Sequence, residues 1–323
     1  MRAMPVDNHL NVPFLAAVLR RARAVAAVAL IVGGCQSVGV ADAPPDVRKV
    51  VVNGAEISYV EQGAGETVVF VHGIALDWRS FEDVRPYIGR RYRFVAYSRR
   101  DHAPNRWPDD GQTYGIVQHA EDLAALIRAL GVAKAHVVGT TLGGRIVAQL
   151  AFTHPELVAS VVINDAFLTV QVPEDRKRVL DDFSRQLEPV FDALRAHDDL
   201  RATMLFADWE GGGAGWFDAL PEHRKQQYRD NAKTLLLAAS DKEIDRRPSC
   251  EAIGRLQMPA LVLEGENTAA AARLTNDVLY ACLGSVAERA RVPDAGHFWY
   301  IENPRGGADA ILRFIARHPI ATR

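Results

Sequence analysis

Val138-Gly139-Thr140-Thr141-Leu142-Gly143-Gly144 decides how the rest of this chain is read. The stretch has the form G-x-S-x-G, with threonine at the central position where serine is usual. The apolar, β-branched run Ala135-His136-Val137-Val138 leads in, and the helix-compatible run Arg145 to His154 leads out. A strand, a sharp glycine-lined turn and a helix are the context this motif requires. Such an elbow lifts its central side chain above the end of a sheet on strained backbone, and its glycines stand where any larger side chain would collide.

Around the elbow, apolar runs alternate with helical repeats. Asn53-Gly54 between Lys49–Val52 and Glu56–Glu61 predicts a hairpin. Thr67–Val71, Tyr92–Tyr97, Val158–Ile163 and Ala260–Leu263 read as strands, with a further strand near Ala287–Val292. Thr67–Val71 is apolar throughout, as expected of a strand buried on both faces. Helices are expected over Trp78–Ile88, Tyr114–Leu130, around Ala269–Cys282 and over Arg305–His318. The alternation implies an α/β fold with a mostly parallel, doubly wound sheet. It stops from about Thr169 to Arg247, which reads as a helical cap inserted after the sixth sheet strand. The expected division is an export segment over 1–35, a linker over 36–47, a core in two parts over 48–168 and 251–323, and a cap over 169–250.

The chain has 323 residues and a formal net charge of −2. That length allows a large core, and no basic stripe suggests a nucleic-acid partner. Arg20, Arg21 and Arg23 precede a short apolar run, Ala24–Val32, and then Gly33-Gly34-Cys35. The layout is that of a secretory signal, and Val32–Cys35 resembles a bacterial lipobox. The expectation is export and membrane association in the bacterial cell envelope through a lipid on Cys35. An incidental cysteine in an ordinary signal, or a misplaced start codon, are the alternatives. Cys250 and Cys282 are expected as buried free thiols, with pairing as the alternative. No His/Cys/Asp cluster has metal-ligand spacing.

From about Val50 onward the chain resembles the α/β-hydrolases. His72-Gly73 follows the third strand, Gly139–Gly143 the fifth, and Pro259–Glu266 resembles the strand that delivers the acid. Pro293-Asp294-Ala295-Gly296-His297-Phe298, ahead of Glu302-Asn303-Pro304, resembles the catalytic-histidine loop. The resemblance implies a capped hydrolase of an ester or related acyl substrate. His297 would take the hydroxyl proton and return it to the leaving group. The backbone N–H groups of Leu142 and Ile74 would hold the oxyanion. No metal or organic cofactor is implied, and the partner is a small acyl or carbonyl compound.

Two positions depart from the family's pattern. Thr141 has the hydroxyl of a nucleophile, but a β-branched residue tolerates the elbow backbone less well than serine. It reads either as the attacking group or as a relic in a fold that now binds ligand. The G-x-x-D window after the seventh strand is Gly265-Glu266-Asn267-Thr268. Some members of the family carry the acid at the end of strand six, so the resemblance implies Asp165 there, with Glu266 second; Asp165 as a strand-end capping residue is the alternative. A third possibility keeps His297 as the base of a cofactor-free, lyase-like reaction. In the cap, Trp209, Trp216 and Phe217 are expected in the core, with pocket lining as the alternative. Arg99, Arg100, Asp101, His102, Asn105 and Trp107 form a polar and aromatic loop near the expected pocket mouth, read mainly as a structural Arg–Asp pairing, with substrate contact as the alternative.

Overall fold

The computed structural model describes residues 45–106, 114–169, 171–241, 244 and 247–321. The export segment, Cys35 and Trp107 lie outside the described residues. The chain divides into Met1–Ala41 and Asp42–Arg323, and everything below concerns the second unit.

Among the described residues, eight strands form one sheet in the order β1-β2-β4-β3-β5-β6-β7-β8. They are β1 (Arg48–Val52), β2 (Ala55–Gln62), β3 (Thr67–Val71), β4 (Arg93–Tyr97), β5 (Ala135–Thr140), β6 (Val158–Asn164), β7 (Ala260–Gly265) and β8 (Ala287–Val292). The first two pair antiparallel through the Asn53-Gly54 turn, and β2 pairs antiparallel with β4. All pairings from β4 to β8 are parallel. Strands β3 and β5 are buried at every position; β3 is a continuous apolar run after Thr67, and β5 buries His136 on Ser160 Oγ. The edge strand β8 is only half-buried and carries Glu288, Arg289 and Arg291, charges that discourage edge pairing.

Helix α1 (Ile116–Ala129), helix α2 (Leu142–Thr153) and the long C-terminal helix Pro304–Ile315 flank this sheet. Each face has its own apolar cluster. One joins Val69, Val137 and Val262 to α1 and α2; the other joins Phe70, Val138 and Leu263 to Trp299, Ile311 and Phe314. The helix expected over Trp78–Ile88 is interrupted. A 3-10 turn, Trp78–Phe81, is capped by Asp77, whose carboxylate accepts from Arg79 N, and Pro86 opens a separate turn, Arg85–Ile88.

Between β6 and β7 the chain is helical. Helices α3 (Lys177–Arg185), α4 (Glu188–Arg195), α5 (Asp199–Glu210), α6 (Glu222–Asp230) and α7 (Lys233–Ser240) form the insertion. Val190, Leu194, Phe206 and Leu235 give the insertion its own apolar cluster. The expected free thiols are instead a disulfide. Cys250 and Cys282 are bonded across a separation of 32 residues, with Cα atoms 5.0 Å apart. The short helix Cys250–Ile253 returns from the cap against helix α8 (Ala270–Leu283), which brings the two residues within bonding range.

Candidate active site

The elbow is built as its sequence requires. Strand β5 ends at Thr140, Thr141 takes φ 48° and ψ −118°, and α2 starts at Leu142. A positive φ is unfavourable for any L-residue and more so for a β-branched one. Surrounding packing holds it there. A Cβ added to Gly143 would lie 2.1 Å from the carbonyl oxygen of Val71, so the turn closes only with glycine. A Cβ on Gly73 would lie 2.0 Å from the Thr141 methyl carbon. The methyl group is thus stowed against Gly73, which leaves the hydroxyl facing the other way.

Asp165 follows β6 directly, at φ 39°, and is fully buried. Its Oδ1 accepts from Asn276 Nδ2 at 2.7 Å, and its Oδ2 accepts from Thr268 Oγ1 at 2.5 Å. The same Oδ2 lies 3.2 Å from His297 Nδ1. The carboxylate is therefore engaged by a hydroxyl, an amide and the imidazole, an aim that fixes the orientation of the ring. Glu266 is elsewhere: it is exposed, and its Oε2 accepts from Asp294 N at 3.2 Å.

His297 sits on the turn after β8. Glu302 Oε2 accepts from Gly296 N at 2.5 Å, and Asn303 Nδ2 donates to the Pro293 carbonyl at 2.9 Å. Glu302-Asn303 thus braces the loop that carries the imidazole. The ring is 9% exposed and meets Phe298 edge to face, with centroids 4.9 Å apart.

The structure adds a residue that no sequence motif marks. Glu210, the last residue of α5, reaches down from the cap between the elbow and the histidine. Its Oε1 accepts from Thr141 Oγ1 at 3.2 Å and lies 3.4 Å from His297 Nε2. The threonine hydroxyl is thus given to Glu210 rather than to His297. Burial works to lower the His297 pKa, but the charge of Glu210, together with Asp165, raises it to about 10. The only sequence cue to Glu210 is an acidic helix end ahead of Gly211-Gly212-Gly213, which says nothing about where the side chain points.

A cavity of about 250 Å³ opens above Thr141. Ile74 and Leu142 line it beside the elbow. Leu142 is in the first turn of α2, where N–H groups have no acceptor within the helix. Cap side chains Leu187, Val190, Phe206, Trp209 and Leu235 form apolar walls, and Arg145 and Arg247 add positive charge. Of the three cap aromatics, Trp209 lines the cavity. Trp216 stacks on Phe298 with centroids 4.4 Å apart, and Phe217 packs on Tyr228.

The polar loop after β4 acts from behind. Arg99 Nη2 donates to the Gly73 carbonyl at 2.7 Å, and Arg99 N donates to His72 Nε2 at 3.0 Å. Arg100 pairs with Asp122 of α1, at 2.5 Å and 2.9 Å, with both side chains buried. Asn105 Nδ2 donates to the carbonyls of Ser98 and Arg99. The Arg99 bond braces the carbonyl of Gly73, which packs against the elbow, and the other contacts fix the loop that carries Arg99. Among the described residues, no group of three His, Cys, Asp or Glu side chains is arranged to hold a metal ion.

An eight-stranded α/β sheet, a strained elbow after β5, a histidine after β8 and a buried carboxylate after β6 define the class of scaffold on which hydrolytic enzymes carry their triads. The family model described as alpha/beta hydrolase fold matches residues 66–304, and the chain belongs to that family. It is similar to 2-hydroxy-6-oxo-6-(2'-aminophenyl)hexa-2,4-dienoic acid hydrolase of Metapseudomonas resinovorans, with 25% identity over 85% of this chain and 93% of that protein. It is also similar to fluoroacetate dehalogenase of a Burkholderia species, with 27% identity over 83% of this chain and 93% of the relative. A thermophilic esterase from Thermogutta terrifontis shares the fold at a TM-score of 0.63 and 20% identity, covering 85% of this chain and all of the esterase.

Proposed function

We propose that the protein hydrolyses a compact ester or related acyl substrate through a covalent intermediate on Thr141. The observation that carries this reading is His297, held by buried Asp165, converging with the elbow hydroxyl of Thr141 on one oxygen of Glu210. Thr141 Oγ1 attacks the acyl carbon, His297 handles protons, and Asp165 keeps the imidazole oriented. Leu142 N–H and Ile74 N–H receive the oxyanion, each such donor contributing on the order of a hundredfold in rate. The small, mostly apolar cavity suits a short or branched acyl group. The relatives' names, a hydrolase and a dehalogenase, support a hydrolytic reading. The test is hydrolysis of a panel of short-chain alkyl esters by wild type and His297→Ala. Wild type should turn over at least one member, and the variant should be slower by about two orders of magnitude or more. A variant as fast as wild type would remove His297 from the chemistry.

One observation favours a second reading. The Thr141 hydroxyl is committed to Glu210, not to His297. A protein that keeps this arrangement throughout binds a small apolar or carbonyl ligand without cleaving it, or uses His297 for cofactor-free proton transfer. Ligand binding that persists in Thr141→Val, with no ester turnover in wild type, would select that reading.

We further propose that the chain is exported and lipid-anchored through Cys35. The Arg cluster, the apolar run and the small residues before Cys35 support this, as does the Cys250–Cys282 bond, since disulfides persist mainly in oxidising compartments. Fatty-acid labelling should be lost in Cys35→Ser; labelling that persists would refute the anchor.

A further inference from the structure

Glu210 stands where the nucleophile and the histidine would otherwise meet. One oxygen, Oε1, is within 3.2 Å of Thr141 Oγ1 and 3.4 Å of His297 Nε2, while Oε2 is buried without a partner. The side chain is 5% exposed. A cap residue held this deeply, with one oxygen on the attacking hydroxyl, is placed to react. Resting on the acyl-transfer reading above, we propose that Glu210 is a catalytic residue: the general base that takes the Thr141 proton, with His297 serving as the general acid.

The assignment follows from position. A general base must lie within hydrogen-bond reach of the proton it removes, and the group in reach of the Thr141 proton is Glu210 Oε1. His297 has a carboxylate at each ring nitrogen, Asp165 at Nδ1 and Glu210 at Nε2. An imidazole so placed is held as imidazolium, which has no lone pair to accept a proton and has one to give. A carboxylate on the attacking hydroxyl and an imidazole whose Nε2 faces the same oxygen divide the labour of base and acid.

The steps balance. Thr141 Oγ1 bonds to the acyl carbon as its proton passes to Glu210 Oε1, and the carbonyl oxygen becomes the oxyanion. Collapse breaks the bond to the leaving oxygen, which takes the proton from His297 Nε2. Glu210 then returns its proton to Nε2, restoring the ion pair. Water attacks the acyl-threonine, gives a proton to Glu210, and Thr141 leaves with the proton of His297. The same internal transfer resets the site, and no oxidant, metal or cofactor is consumed.

The experiment compares wild type, Glu210→Gln, Glu210→Asp and His297→Ala on a methyl ester and on the matching p-nitrophenyl ester, whose leaving group needs no proton. Glu210→Gln should lower kcat at least a hundredfold on both esters with KM little changed. Glu210→Asp should recover part of that loss. His297→Ala should be hurt more on the methyl ester than on the p-nitrophenyl ester. Glu210→Gln as fast as wild type, or faster, overturns the proposal, because the carboxylate would then only obstruct the site. A wild type active on esters, with Thr141→Val and His297→Ala dead and Glu210→Gln intact, rejects this proposal alone. A wild type silent on every ester, with no adduct on Thr141, rejects the acyl-transfer reading and the proposal together.

Discussion

At the scale of single residues, the methyl group of Thr141 settles how the site is arranged. Serine would leave both sides of the elbow open, whereas threonine places its methyl against Gly73 and turns its hydroxyl toward Glu210. Gly73→Ala should therefore clash with Thr141 and destabilise the fold by about 1–3 kcal/mol, the usual cost of overpacking. Adding Thr141→Ser removes the offending methyl; the remaining neighbours of the new Cβ, Thr141 Cβ at 3.5 Å and Leu76 Cδ1 at 3.7 Å, are at ordinary contact. Chemical denaturation of the two single variants and the double variant should show most of the loss recovered. Equal losses in Gly73→Ala and the double variant would mean that the methyl lies elsewhere. His297 and Asp165 are legible in the sequence because each sits at a fixed offset from a strand end. Glu210 is not legible, because only tertiary packing of the cap brings it to the elbow.

Among elements, legibility follows burial. Strands β3, β5 and β7 are buried at every position and read as largely apolar runs, interrupted by His136 in β5 and Glu264 in β7. Strand β8, Ala-Glu-Arg-Ala-Arg-Val, is a charged edge and reads only by its place in the alternation. The break before Pro86 and the start of α2 at Leu142 depend on capping and turn geometry, which shift boundaries without changing element type. The Cys250–Cys282 bond is only an alternative in the sequence, since pairing needs a short Cα separation that spacing cannot supply. It ties the chain leaving the cap to α8, whose Asn276 holds Asp165. By loop closure over 32 residues it contributes roughly 3–4 kcal/mol. Cys250→Ser with Cys282→Ser should lower Tm by several degrees or more, measured by calorimetry. An unchanged Tm would show that packing alone holds this junction.

For the whole molecule, the sheet order brings three loops, after β5, β6 and β8, to one end, and the cap closes over them. That arrangement was readable from the order of the motifs; the cap's interior was not, because its amphipathic helices carry no signal for mutual orientation. The closed site has a consequence for stability against pH. His297 is faced by the carboxylates of Asp165 and Glu210, with the guanidinium groups of Arg145 and Arg247 on the same cavity as Glu210. Its folded pKa of about 10 lies above the ordinary histidine value. A raised pKa means that the folded state binds the proton more tightly, so its stabilising share is complete below about pH 6.5 and is lost as pH rises toward 10. The Tm difference between wild type and Glu210→Gln, which loses one of the two carboxylates, should narrow across that window. A difference that grows with pH would contradict the ion pair.

The most direct measurement is made on the elbow itself. Rapid-quench mass spectrometry of wild type and Thr141→Val, each mixed with a p-nitrophenyl ester, reports where the acyl group goes. The mass of one acyl group should appear on the peptide containing Thr141 in wild type, decay with turnover, and be absent in Thr141→Val, whose methyl groups preserve the packing against Gly73. Turnover without an acylated Thr141, or an equal rate in Thr141→Val, would contradict a nucleophilic threonine.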